Sequence, residues 1–328
     1  MTHFKEVNQP MNLQYVMDIL AHEASQRFNT WRFDFKNVQI LYSMPSNLIP
    51  LLKWVLHEFN SYISYGRGDM PMTIGIETIS VCDRHCRYCP VSLPSFNNSR
   101  NLRVMTDEVY ASIIEQLTTL PRKGGNRGFN GVLSLNAYGE PLLDNKIIER
   151  VEQARSRLPE AKVGFFSNGD FLTKEKLDKL VSAGVQEVVL TPHDGQFKPP
   201  IYDLAEYEKR QANIEKRKPV LRLKEPLWYL CNRGGDIQGI AVDQMIYPQK
   251  RCISPSYAFW ISSDGIVAMC CNDAQLTHPM GDITQFGIME IWDSEKYRDL
   301  RAALRHGKWE ELPKICTACR TPSAQLPT

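Results

Sequence analysis

Ile79-Ser80-Val81-Cys82-Asp83-Arg84-His85-Cys86-Arg87-Tyr88-Cys89-Pro90 is the stretch that decides the fold. Its three cysteines stand at C-x3-C-x2-C spacing, directly after Met72–Val81, a run that predicts a β-strand. Three thiolates on one tight loop suit three irons of a [4Fe–4S] cube, because cluster irons are held by cysteine sulfur. The fourth iron is then left without a protein ligand. An open metal position is where chemistry takes place, just as an open zinc site is catalytic and a closed one structural. Two other readings stand beside this one. The loop suits a structural zinc site with His85 as fourth ligand, or a ferredoxin-type carrier.

The spacing, with aromatic Tyr88 just before the third cysteine, resembles the C-x3-C-x-Φ-C signature of the radical S-adenosylmethionine (SAM) superfamily. The resemblance implies that SAM chelates the open iron through its amino and carboxylate groups. It further implies reductive cleavage of SAM to a 5′-deoxyadenosyl radical, which takes hydrogen from a substrate carbon. A flavodoxin- or ferredoxin-type reductant is implied as the electron source.

The whole chain sets bounds on what surrounds this loop. At 328 residues it has room for one large domain and a smaller appendage. Hydrophobic content of 43% and charge of 23% are those of a globular protein. A formal net charge of only +2 gives no global electrostatic case for a nucleic-acid partner. Met1–Pro10 has no basic segment followed by an apolar core, so no secretory leader is expected. The apolar run Leu48–Leu56 is broken by Pro50 and Lys53, so no membrane span is expected either. A cytoplasmic location follows as an expectation. Cytosolic thiols stay reduced, so the nine cysteines are expected as metal ligands rather than disulfides.

Residues 1–70 form the first predicted domain, a helical extension. Met11–Phe28 and Asn47–Tyr65 carry amphipathic helical patterns, and Trp31–Phe35 alternates like a short strand. Residues 71–235 then repeat strand, loop and helix. Strands are expected at Met72–Val81, Val132–Asn136, Lys162–Phe166, Glu187–Leu190 and Val220–Leu223. Helices are expected at Asp107–Leu120, Lys146–Leu158, Lys174–Ala183 and Ala205–Lys218, the first opened by Thr106 as N-cap. This alternation predicts an α/β fold with right-handed crossovers, a parallel sheet, and a site at the carboxyl ends of the strands. The resemblance supplies the closure, a partial (β/α)6 barrel.

Polar residues gather at those strand ends. Gly139-Glu140-Pro141, preceded by Tyr138, resembles the family's GGE-type motif, with tyrosine in place of the first glycine. The motif implies a site for the SAM amino group, and a glutamate beside an ammonium is favourable electrostatics. Phe165-Phe166-Ser167-Asn168-Gly169 resembles the Thr-Asn-Gly segment of SPASM-type members, which implies Ser167 and Asn168 as candidates for the SAM carboxylate or ribose. Thr191-Pro192-His193-Asp194-Gly195 makes Thr191 a further candidate. His193 is placed there as a contact or a base, since histidine titrates near neutrality. Each of these segments also reads as an ordinary helix cap or turn.

Residues 236–328 carry a second cysteine set. Cys252 is followed by twelve residues, Gly265, four residues and Cys270, and Cys316-Thr317-Ala318-Cys319 comes later. Ala258–Ile261 and Ile266–Met269 flank Ser262-Ser263-Asp264-Gly265 and predict a β-hairpin. A helix-rich return over Asp282–Leu304 has Trp292 as its anchor. Hairpin and C-x2-C bring four thiolates together, enough to ligate every iron of a second cube, or a zinc ion in a ribbon.

The pattern is similar to the opening of SPASM and Twitch auxiliary domains. Asn232-Arg233-Gly234-Gly235, Cys270-Cys271, Gly281-Asp282-Ile283 and Glu290-Ile291-Trp292 match further segments of those domains. The longer SPASM cysteine series is missing, so the resemblance implies the Twitch form with one auxiliary [4Fe–4S] cluster on Cys252, Cys270, Cys316 and Cys319. Cys271 is the ambiguous neighbour. The expected cofactors are SAM and two [4Fe–4S] clusters, one SAM-binding on Cys82, Cys86 and Cys89, one auxiliary.

A closed cluster exchanges electrons without binding substrate, and the resemblance implies that it serves a two-electron oxidation of a sugar, an aminocyclitol or a peptide. Arg233 is then a candidate for substrate contact or for assisting deprotonation. Cys231 lies outside both sets, and a thiol that returns a hydrogen atom would give epimerisation instead. The reading from another class is a non-catalytic iron–sulfur or zinc protein.

Overall fold

The computed structural model describes residues 48–100, 103–192, 197–224, 232–238 and 252–319. The helix expected at Met11–Phe28, the strand at Trp31–Phe35, His193 and Cys231 lie outside these residues. The described residues from 50 onward pack as one compact unit.

Its centre is a single sheet. β1 (Thr73–Ile76) is buried on every residue. On one side follow β2 (Val132–Ser134), β3 (Lys162–Ser167), β4 (Glu187–Leu190) and β5 (Leu221–Leu223), all parallel. On the other side lies β6 (Ala258–Ile261), also parallel to β1, with Thr73 opposite Ala258. β7 (Ile266–Ala268) and β8 (Gly281–Asp282) continue antiparallel, giving the order β5-β4-β3-β2-β1-β6-β7-β8. The hairpin expected in the C-terminal segment thus forms, and its first strand is the sixth parallel strand of the main sheet.

The helices form because their caps and apolar periods agree. α1 (Leu48–Tyr65) precedes the sheet, and the short α2 (Pro94–Ser99) follows the cysteine loop. α3 (Asp107–Thr118) is capped by Thr106, whose hydroxyl accepts from Val109 N, and it buries Tyr110, Ile113, Ile114 and Leu117. That i, i+3, i+4, i+7 stripe is the core face of an amphipathic helix. α4 (Ile147–Arg157) and α5 (Lys174–Ser182) repeat the arrangement, with Thr173 capping α5. In β3, Val163 and Phe165 point into the core that these helices share, while Lys162, Gly164 and Phe166 face the other way. Each fully buried aliphatic there contributes about 1.5–3 kcal/mol.

Two expected boundaries move for local reasons. α6 runs over Pro199–Ile214 rather than Ala205–Lys218. Prolines fill its first turn, where the missing N–H costs nothing. It stops at Lys216, a left-handed residue with φ of 54°. There Arg217 N donates to Ala212 O and Lys216 N to Asn213 O, a Schellman ending. The strand expected over Met72–Val81 is interrupted. Past Ile76 the chain leaves the ladder, and Ile79 bridges Val104 antiparallel.

The break is made at Glu77, which is 1% exposed and points at the equally buried Arg100. Arg100 also donates to Ala274 O (2.7 Å), and Ser263 N donates to Glu77 (3.0 Å). One buried ion pair thus ties the end of β1, the segment after α2 and the C-terminal region together. Burial raises the Glu77 carboxyl despite the guanidinium beside it. A second tie is aromatic. The short α7 (Ser254–Tyr257) leads into β6, and Trp292, on α8 (Ile288–Trp292), is fully buried and donates through Nε1 to Asp69 O. It packs 6.0 Å from Phe259 of β6 and 5.1 Å from Tyr297 of α9 (Glu295–His306), centroid to centroid.

Removing one partner of a buried pair leaves an uncompensated charge, whereas removing both is far cheaper. Arg100→Met should therefore destabilise by about 3–5 kcal/mol. The double change Glu77→Leu/Arg100→Met should recover most of that loss in denaturant titration. Equal destabilisation by the single and double variants would contradict this.

Candidate active site

The cysteine loop leaves β1 at the carboxyl edge of the sheet. Cys89 N donates to Cys86 O and Ser92 N to Cys89 O, so the loop closes on itself before a 3-10 turn at Pro90–Ser92. The Ser92 hydroxyl donates to Cys86 O at 2.9 Å. Burial pushes the Cys82 thiol up to about 12 and raises Cys89 as well. Against that, Arg84 N–H donates to Cys82 and Val91 N–H to Cys89. Backbone donors two residues on, aimed at sulfurs that burial would otherwise keep protonated, fit thiolates whose charge a metal centre offsets.

Gly139-Glu140-Pro141 lies against this loop. A Cβ on Gly139 would sit 1.9 Å from Ile79 O, so only glycine permits the approach. Glu140 N donates to Val81 O. The Glu140 side chain, 3% exposed, accepts from Ser167 Oγ (2.7 Å), Asn168 N (2.9 Å) and Leu142 N (3.0 Å). Pro141 opens a short 3-10 turn, and Thr191 N donates to Ser167 O. Gly139, Glu140, Pro141, Ser167, Asn168 and Thr191 therefore meet at one place, the carboxyl ends of β2, β3 and β4.

A latch then fixes the loop to β3. Asn168 Nδ2 donates to Asp83 Oδ1 at 2.9 Å. Arg84 grips Asp170 with two bonds, 2.7 and 2.8 Å, and Lys198 reaches the same carboxylate at 2.7 Å. Asp83, Arg84 and Asp170 carry no motif, and only their contacts reveal them.

The sheet face opposite the helices leads into this region. Lys162, Glu187 and Arg222 form a ladder there, with contacts of 2.5 and 2.9 Å. One level nearer the cysteine loop, Lys224 lies 5.9 Å over the Phe166 ring. Burial, and then Arg222 and Arg233, lower the Lys224 pKa. Arg233 also faces Tyr88, Cys89 and Tyr138.

Arg233 reaches that position because its own turn is seated on the second cysteine set. Asn232 Nδ2 donates to Ala318 O at 2.9 Å, and a Cβ on Gly234 would meet Ile315 at 2.3 Å. Both contacts are with α10 (Lys314–Ala318), which carries Cys316 and delivers Cys319. Cys316 is pushed up to about 12 by burial and then by facing Cys252 and Cys319. Cys270 is likewise raised by burial, and faces Cys271, Cys252 and Cys316. Asn272 N donates to Cys270 Sγ (3.4 Å) and Asn272 Nδ2 to Cys319 Sγ (3.5 Å). Cys252, Cys270, Cys316 and Cys319 thus converge from three segments. Cys271 presents its carbonyl to the Tyr138 hydroxyl.

Among the described residues, no group of three or more His, Cys, Asp or Glu side chains is placed to hold a single metal ion. No described helix is long and apolar enough to cross a membrane.

With this geometry in view, known proteins can be compared. The sequence model of the radical SAM superfamily matches residues 76–224, and that of an iron–sulfur cluster-binding domain, SPASM, matches residues 252–320. The chain is 30% identical over 255 residues to the S-adenosyl-L-methionine-dependent 2-deoxy-scyllo-inosamine dehydrogenase of Niallia circulans, covering 77% of this chain and 94% of that protein. Among solved structures, BtrN in complex with AdoMet and 2-DOIA superposes with a TM-score of 0.64 at 27% identity, covering 77% of this chain and 94% of that one. BtrN in an open conformation gives 0.56 at 24%, over 77% and 93%.

The Arg84–Asp170 latch generates a prediction. Hydrogen bonding from Arg84 holds the Asp170 carboxyl well below the usual carboxylate range. Its stabilisation is therefore full above about pH 4 and lost as the pH falls through the depressed native value. Asp170→Asn should free the loop at neutral pH and speed iron loss to a chelator several-fold. An unchanged rate would show that the latch does not hold the loop.

Proposed function

The chain belongs to the radical SAM superfamily and carries a SPASM-type domain, and on that footing we propose that it dehydrogenates an aminocyclitol or a closely related cyclic polyol. Membership makes it a radical SAM oxidoreductase that uses SAM and iron–sulfur clusters. The substrate rests on one observation, the 30% identity that runs over 94% of a 2-deoxy-scyllo-inosamine dehydrogenase. Residues 71–235 would supply the SAM half, residues 236–328 the auxiliary half, and residues 1–70 an extension. A flavodoxin- or ferredoxin-type reductant and a cytoplasmic setting complete the proposal.

In this reading Cys82, Cys86 and Cys89 hold the SAM-binding [4Fe–4S] cluster, and Cys252, Cys270, Cys316 and Cys319 hold one auxiliary cluster. Bound together, these groups and SAM supply a 5′-deoxyadenosyl radical to take a substrate hydrogen atom and an acceptor for the second electron. The chain's own residues do the rest. Tyr88 and the segment Gly139–Pro141 border the SAM site from the loop side, and Ser167, Asn168 and Thr191 border it from the strand ends. Glu140 keeps one lone-pair position beyond its three donors, enough for a single ammonium proton.

Arg233 stands between the two cysteine sets and is the residue we assign to the substrate oxygen. A guanidinium does not give up its proton, so it acts by stabilising negative charge as the hydroxyl proton leaves to solvent. The alternative fate, epimerisation through Cys231, has no specific observation in its favour.

Two measurements test the proposal. Anaerobically reconstituted protein should hold about eight irons, falling to about four in Cys82→Ala/Cys86→Ala/Cys89→Ala. With 2-deoxy-scyllo-inosamine as probe, a ketone should form with consumption of SAM. Arg233→Met should cut kcat about 10²–10³-fold while leaving reductive SAM cleavage in place. No iron, or solvent deuterium in an unoxidised product, would overturn the reading.

A further inference from the structure

Asn272 is 5% exposed and follows directly on Cys270-Cys271. It donates to two cysteine sulfurs at once. Its backbone N–H reaches Cys270 Sγ at 3.4 Å and its side-chain amide reaches Cys319 Sγ at 3.5 Å. Those sulfurs come from opposite ends of the C-terminal segment, one just after β7 and one at the end of α10. We infer that Asn272 sets the reduction potential of the auxiliary cluster, holding it high enough to take the substrate's second electron. The inference rests on the auxiliary cluster proposed above.

The physical case starts from what the site does to added charge. Reduction makes a thiolate-ligated cluster more negative, and burial opposes this. Cys270 and Cys316 both pack against the apolar core. Asp273 is fully buried beside Cys270 and faces Cys316. Its carboxylate accepts from Thr277 N and Oγ1 (both 2.8 Å) and from His278 N (3.1 Å), bonds that fix it beside the second cysteine set. Burial and Asp273 therefore both push the potential down.

Hydrogen bonds to the sulfurs act in the opposite sense, because they favour the more negative, reduced form. The backbone bond to Cys270 comes with the turn and would survive any substitution. The side-chain bond to Cys319 belongs to asparagine. An amide donates there, whereas aspartate of the same shape has no proton to give when ionised. Electron balance is simple, since one electron leaves the deprotonated substrate radical and one enters the oxidised cluster. The nitrogen of Asn272 only alters how favourable that transfer is, so it is a positioning residue.

The test uses the full chain with Cys82, Cys86 and Cys89 changed to Ala, so that only the auxiliary cluster contributes to the spectrum. Asn272→Leu and Asn272→Asp are compared with intact Asn272 by iron content and by EPR-monitored redox titration. The expected result is unchanged iron and a midpoint potential lowered in both variants, most in Asn272→Asp. The ratio of oxidised to reduced cluster at fixed poise should rise about tenfold or more, ~59 mV for one electron. An unmoved potential with the cluster present would overturn the inference. Loss of iron from both variants would also overturn it, since Asn272 would then be a structural clamp. Absence of iron with Asn272 intact would instead overturn the auxiliary-cluster reading beneath it.

Discussion

The carboxylate of Glu140 is the constraint on which the site depends. It is almost wholly buried, and burial raises its pKa, yet it accepts from Ser167, Asn168 and Leu142. Its own backbone N–H goes to Val81, the residue before the first cysteine. One residue thereby joins the ends of β2 and β3 to the start of the cysteine loop. A buried polar group left without partners costs more than a hydrogen bond gains, so these bonds are obligatory. The strand ends cannot spread without exposing Glu140, and the loop cannot shift without losing Val81. Geometry at the cysteine loop is therefore inherited from the sheet.

The same carboxylate shows where reading the chain alone stops. Gly139-Glu140-Pro141 is visible in the sequence, and so is its distance from the cysteines. What Glu140 touches is not visible, because Ser167 and Asn168 lie 27 and 28 positions away and meet it only after the crossover from β2 to β3. Cysteine spacing, the strand–helix alternation and the caps at Thr106 and Thr173 are local signals, written within a few residues of where they act. The α/β class was legible from these. Asp83, Arg84 and Asp170 had no such signal, since any surface loop carries similar residues. The pairing of β6 with β1 was equally hidden. A hairpin announces its partner strand through its turn, but nothing in Ala258–Ile261 names Thr73–Ile76 as a second neighbour.

Where local rules failed, a tertiary contact or a special backbone state won. Met72–Val81 has the composition of one long strand, but Glu77 must turn inward to Arg100, and the ladder ends there. α6 ends at a lysine in the left-handed region rather than at glycine, which a search for C-cap glycines passes over. Asn272 reads as an ordinary turn residue after two cysteines. Its significance appears only when Cys319, 47 positions on, is found beside its amide.

The two cysteine sets must hold a fixed separation if an electron is to pass from substrate to acceptor after hydrogen is removed. Flexibly linked domains would not provide that, because modest interfaces leave domains free to move. Here the C-terminal segment enters the main sheet as β6, in register with β1 over four residue pairs. Arg100 carries the joint further, from Glu77 at the end of β1 to Ala274 beside the second set. Tyr138 completes it, packing edge-on against Phe96 in the cluster that Cys82 and Cys89 also touch, and donating to Cys271 O on the other side. The tyrosine in place of the motif's first glycine is thus accounted for: it fills the space between the sets and bonds across it. Arg233, held from the auxiliary side by α10 and facing Cys89, lies at the same seam. A sheet pairing, a buried ion pair and a tyrosine fix one distance between them, so neither half can relax without breaking into the core of the other.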